Sequence, residues 1–110
     1  MSPRNEVAEL RGGRLVGTRA GRVTRFAGVP YAEPPTGERR FQPPVPMRPW
    51  SGVADASRPS VIAPQLPSRL LGVMGDFERT QSEDCLRLTV TTPAADGGKR
   101  PVIVWLHGGG

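Results

Sequence analysis

The chain has 110 residues, a formal net charge of +5, 36% hydrophobic and 5% aromatic residues, and a single cysteine. That length suits one small domain or part of a larger one. One cysteine excludes a disulfide framework within the chain, and no apolar run approaches the ~20 residues of a membrane helix.

The opening, Met1-Ser2-Pro3-Arg4-Asn5-Glu6, lacks the apolar core of a secretory leader, so a cytoplasmic location is expected. The basic excess is almost all arginine, scattered from Arg4 to Arg100, with Arg39-Arg40 the only adjacent pair. No aromatic residues interleave them as a base-stacking platform requires. Neither nucleic acid nor membrane is therefore expected as a partner.

The first forty residues read as short strands with glycine turns. Val7 to Leu10 is a short strand, Gly12-Gly13 a turn, and Leu15-Val16-Gly17-Thr18 a second strand. Gly21 precedes Arg22-Val23-Thr24-Arg25-Phe26, which alternates with period two as a half-buried strand does. Together these predict a small antiparallel meander that needs something packed on its apolar face. From Pro30 to about Gln81 the chain is proline-rich and aperiodic, holding ten of its 13 prolines up to Pro67. Proline removes ladder donors and biases the residue before it away from helix. Phe41, Trp50, Leu66, Leu70, Leu71, Met74 and Phe77 favour burial, which predicts an ordered wrap with a helical turn around Arg69 to Met74.

Pattern returns in the last third. Cys85-Leu86-Arg87-Leu88-Thr89-Val90-Thr91 alternates and is rich in β-branched residues, which predicts a strand. Asp96-Gly97-Gly98 marks a turn. Pro101-Val102-Ile103-Val104-Trp105-Leu106 is a continuous apolar run entered by proline, as in a strand buried on both faces of a helix-covered sheet.

That run ends in His107-Gly108-Gly109-Gly110. Glycine lets backbone approach a ligand with no Cβ in the way, so consecutive glycines after a buried strand can offer bare N–H donors to a developing negative charge. His-Gly-Gly-Gly after a strand is a form the oxyanion hole takes in lipases and esterases. By itself the motif is also compatible with a flexible glycine stretch, or with a phosphate loop lacking its Lys and Ser/Thr.

Three further stretches carry a resemblance. Phe26-Ala27-Gly28-Val29-Pro30-Tyr31-Ala32-Glu33-Pro34-Pro35-Thr36-Gly37 with Arg40-Phe41 resembles the N-terminal signature of the type-B carboxylesterase and cholinesterase-like family. Pro49-Trp50-Ser51-Gly52 fits the same alignment, and Ser82-Glu83-Asp84-Cys85-Leu86 resembles the family's second signature. With Pro101 to Gly110, four matches fall in order over about Val7 to Gly110, most similar to bacterial para-nitrobenzyl-esterase-type members.

The resemblance implies an α/β fold, the N-terminal portion of an α/β-hydrolase: the meander, the proline-rich loop and the first strands of the central sheet. It implies residues 1–110 as the N-terminal piece of one such domain, ending at the oxyanion loop, in an enzyme that cleaves small-molecule carboxylic esters with no cofactor and no metal. No Gly-x-Ser-x-Gly occurs and His107 is the only histidine, so none of the Ser-His-Glu/Asp triad is present and the piece alone is expected to be inactive. The resemblance implies Gly109 and Gly110 as oxyanion donors, with His107 and Gly108 supporting that loop. It also implies an ion pair between Arg40 and Glu83. Adjacent carboxylates such as Glu83 and Asp84 on extended chain point to opposite faces and do not serve one substrate atom. Relatives often pair the Cys85 position with one near Ala63; without that partner Cys85 is expected to be a buried, reduced thiol. Trp50, Trp105 and Phe41 read as core or loop anchors. Two alternatives remain: a non-catalytic cholinesterase-like binding or adhesion protein of the same fold, and a freestanding basic β module.

Overall fold

The structure, a computed structural model, describes residues 3–67 and 80–108. It contains five strands: β1 (Arg4–Glu9), β2 (Arg14–Ala20), β3 (Val23–Pro30), β4 (Val53–Asp55) and β5 (Arg87–Thr92), with a 3-10 turn at Gly37–Arg39. β2 covers its predicted segment and extends it; β1 starts three residues before Val7 and ends one short of Leu10, and β3 starts one after Arg22 and runs four beyond Phe26. The helical turn expected at Arg69 to Met74 lies outside the described residues.

β1, β2 and β3 form the expected antiparallel meander, and β5 adds antiparallel to the free edge of β3. β1 follows one edge of β2 from Arg4↔Arg19 to Glu9↔Arg14. The other edge is shared. β3 pairs with β2 only from Thr18↔Arg25 to Ala20↔Val23 and then departs, and β4 fills the gap in parallel from Arg14↔Val53 to Val16↔Asp55. Ala56 sits in the fork, its N–H donating to Val16 O (2.7 Å) and its carbonyl accepting from Ala27 N–H (2.8 Å). Gly17 stands where β3 peels away. A Cβ there would lie 2.5 Å from the Phe26 ring and 2.6 Å from Arg25 O, so the ring crosses a position only hydrogen leaves open. Gly28, at φ +76°, occupies the bulge between Phe26 and Val29 that lets β3 keep its pairing with β5.

One face of the sheet forms the core: Leu15, Phe26 and Ala56, with Ala8, Val29, Trp50, Ala54 and Ala95 packed against them. Trp50 is the loop anchor the sequence suggests. Its indole lies over Gly12 and Gly13, and its Nε1–H donates to Arg14 O at 3.1 Å. The proline-rich stretch is tied down at several points. Ala32 bridges to Pro46, and Glu33 N–H donates to Val45 O at 2.8 Å.

Four expectations need correction. Pro101 to Leu106 is not a strand, and Val102 to Leu106 are 75–94% exposed. A strand exists only through its neighbours, and none of the described strands runs beside this segment. Phe41 is 93% exposed at φ +61°, with the Arg40 guanidinium 5.3 Å over its ring, and Leu66 is 88% exposed. Trp105 is exposed rather than an anchor, and Cys85 is half-buried rather than buried. No helix among the described residues is long and apolar enough to cross a membrane.

Candidate functional site

The candidate loop is reached through a built turn. After β5, Asp96 Oδ1 accepts from Gly98 N–H at 3.0 Å, and its carboxylate takes two bonds from the Arg100 guanidinium, 2.7 and 3.1 Å. The Arg100 bonds, aided by the Gly98 N–H, hold the Asp96 carboxyl below its usual range. Pro101 then starts the exposed apolar segment. At its end His107 Nδ1 lies 2.8 Å from Gly108 O, a contact in which the ring donates when Nδ1 carries the proton. A Cβ on Gly108 would meet nothing within 4 Å, so no described neighbour requires clearance at that position. Gly109 and Gly110, the residues assigned as oxyanion donors, lie outside the described residues.

The signature residues upstream divide between two ion pairs. Arg40 Nη1 pairs with Glu83 Oε1, both side chains 53% exposed, which ties the loop after the 3-10 turn to the segment before β5. Asp84 turns instead to Arg87 at 2.9 Å, and Arg87 also donates to Gly28 O at 3.3 Å, at the β3 bulge. The two adjacent carboxylates therefore serve different partners. A shallow cavity of about 210 Å³ opens beside that bulge, lined among others by Asp55, Arg58, Ser60, Ser82, Asp84 and Arg87. Its cations lie against its own carboxylates, Arg58 on Asp55 at 3.8 Å and Arg87 on Asp84. Among the described residues no group of three or more His, Cys, Asp or Glu is placed to hold a metal ion.

Two groupings escaped the sequence reading. Glu33, inside the quoted signature, is only 5% exposed and takes the Arg48 Nε–H at 2.5 Å. Glu6, Arg19 and Thr24 cluster on the core face of the sheet. For Glu6 a signal existed: period two puts it on the same face as Ala8, and a carboxylate on a core face must have partners.

The family model described as "Carboxylesterase family" matches residues 4–110. A phenmedipham hydrolase of Pseudarthrobacter oxydans is 46% identical over 94% of this chain and 22% of its own length. A para-nitrobenzyl esterase of Bacillus subtilis is 39% identical, with 96% and 21% covered. Among solved structures, a Geobacillus stearothermophilus carboxylesterase superposes with a TM-score of 0.78 at 44% identity, over 94% of this chain and 19% of that one. A thermophilic para-nitrobenzyl esterase gives 0.70 at 38% identity, over 80% and 18%. The chain spans about a fifth of the length of the curated relatives it matches.

Proposed function

The chain belongs to the carboxylesterase family and has the N-terminal portion of its α/β-hydrolase fold; from that premise we propose that it is the N-terminal part of a serine carboxylesterase acting on small-molecule carboxylic esters. The observation that carries this reading is the family match over residues 4–110, which includes the apolar run and the His107-Gly108-Gly109-Gly110 loop at its end. The names of the relatives, a hydrolase and two esterases, support the same reaction class.

In this reading residues 1–110 are one piece of a single hydrolase domain, and the nucleophile, its base and the orienting carboxylate come from further polypeptide. The serine attacks the ester carbonyl, histidine carries the proton to the leaving alcohol, and water releases the acyl group. This chain contributes the Gly109 and Gly110 N–H groups, aimed at the oxygen as it becomes an oxyanion. His107, through its contact with Gly108 O, shapes the approach to that loop. The piece alone is inactive, since it lacks all three triad groups. A cytoplasmic setting, where thiols stay reduced, suits Cys85 as a free thiol.

Steady-state kinetics of the complete enzyme on p-nitrophenyl acetate test this. Gly109→Ala and Gly110→Ala should each lower kcat by roughly 10²–10³ with little change in KM, because these bonds strengthen mainly in the transition state. Gly108→Ala should be milder, since its Cβ meets open space. Folded Gly109→Ala and Gly110→Ala enzymes that keep wild-type kcat would remove the oxyanion assignment.

A further inference from the structure

We propose that Glu6, Arg19 and Thr24 form an acid-releasable clasp that fastens the N-terminal strand and the turn after β5 to the sheet. The register makes the clasp possible. Glu6 stands opposite Gly17, so no β2 side chain blocks its path, and its carboxylate reaches β3, two strands away. There Oε2 accepts from the hydroxyl of Thr24, which is fully buried, and Oε1 accepts from Ala95 N–H at 3.3 Å. Arg19 completes the group from β2. Its Nη1 lies 3.6 Å from Glu6 Oε2 and donates to Thr24 Oγ1 at 3.2 Å and to Pro93 O at 2.6 Å. One carboxylate and one guanidinium thus gather β1, β2, β3 and residues 93–95.

Only the carboxylate titrates near neutral or acid pH. The charged groups around it are Arg4 two residues back on the same face of β1 and Arg19 on β2; β3 offers only the Thr24 hydroxyl, and in the turn Asp96 is engaged by Arg100. The Thr24 hydroxyl first, then the Ala95 N–H, with Arg19 adding its charge, holds the Glu6 carboxyl below its usual value of 4.5 against the opposing effect of burial. A carboxylate held down in the folded state contributes stability that is present above its unfolded value and disappears as pH falls through the lowered one. The clasp is therefore closed at neutral pH and opens in acid. Pro93 and Ala95 head the turn that leads to Pro101–Gly108, so the clasp also fixes where that segment leaves the sheet. None of this depends on the esterase reading.

Hydrogen–deuterium exchange on the complete protein, from pH 7 to pH 3 and corrected for the intrinsic pH dependence of exchange, tests it in peptides covering residues 4–9 and 93–100. In the wild type, protection in both should fall by about tenfold or more in acid, as befits loss of hydrogen bonds to a charged acceptor, and ahead of peptides from β3. The midpoint should lie below 4.5. Glu6→Gln has nothing to titrate, so its protection should already be reduced at pH 7 and then stay flat. Thr24→Val removes the strongest bond to the carboxylate and should raise the midpoint. That shift decides the matter if Glu6→Gln fails to fold, and a purely structural role would not move it. Wild-type protection in Glu6→Gln at pH 7, or an unchanged midpoint in Thr24→Val, would overturn the clasp.

Discussion

Adding one methyl group at Gly17 tests how the sheet divides. The Cβ of Gly17→Ala would sit 2.5 Å from Phe26 Cδ1, 2.8 Å from Cε1 and 2.6 Å from Arg25 O, where ordinary contact begins near 3.4 Å. Neither neighbour yields cheaply. Phe26 is 3% exposed and wedged with Leu15 and Ala56, and Arg25 O belongs to the backbone that pairs with Thr18. Overpacking of this kind costs about 1–3 kcal/mol. Alanine also restricts the unfolded chain, which returns about 0.4–1 kcal/mol where the backbone is unstrained. The net expectation is a loss of about 1–2 kcal/mol, read as a lower urea midpoint of the complete protein at unchanged m-value. Gly97→Ala, whose Cβ meets nothing within 4 Å, is the control and should fall within about 0.5 kcal/mol of wild type. Phe26→Leu on the Gly17→Ala background should recover part of the loss, because it removes the ring but not the Arg25 carbonyl. Gly17→Ala as stable as the control, or strict additivity with Phe26→Leu, would refute the account of β3 crossing over Gly17.

The Arg40–Glu83 pair is half exposed, so a double-mutant cycle of Arg40→Ala and Glu83→Gln should give a coupling of about 1 kcal/mol or less rather than that of a buried pair. Arg48→Ala should cost more than Arg40→Ala, about 1–3 kcal/mol by urea denaturation, since it leaves the Glu33 carboxylate at 5% exposure without its donor. Residues 1–110 expressed alone should neither hydrolyse p-nitrophenyl acetate nor melt cooperatively as a monomer in calorimetry. Among the described residues the buried apolar side chains are Leu15, Phe26, Ala27, Ala32 and Ala56, while Val102 to Leu106 stand open to edge pairing.

The sequence by itself determined what depends on neighbours in the chain. Alternation and glycine turns located β1, β2, β3 and β5, because side-chain direction in a strand and the φ that a turn requires are local properties. The order of four short motifs located the family, and with it the glycine loop. Tertiary structure alone decided what depends on partners far along the chain. The parallel insertion of β4 beside β2 follows from the fork at Gly17 and Ala56, and nothing within Val53–Asp55 encodes it. Arg40 meets Glu83 across 43 positions, and Ala95 meets Glu6 across 89. The apolar run of Val102 to Leu106 shows the converse: its composition carries the capacity for a buried strand, but burial and pairing are properties of neighbours, and the described residues supply none.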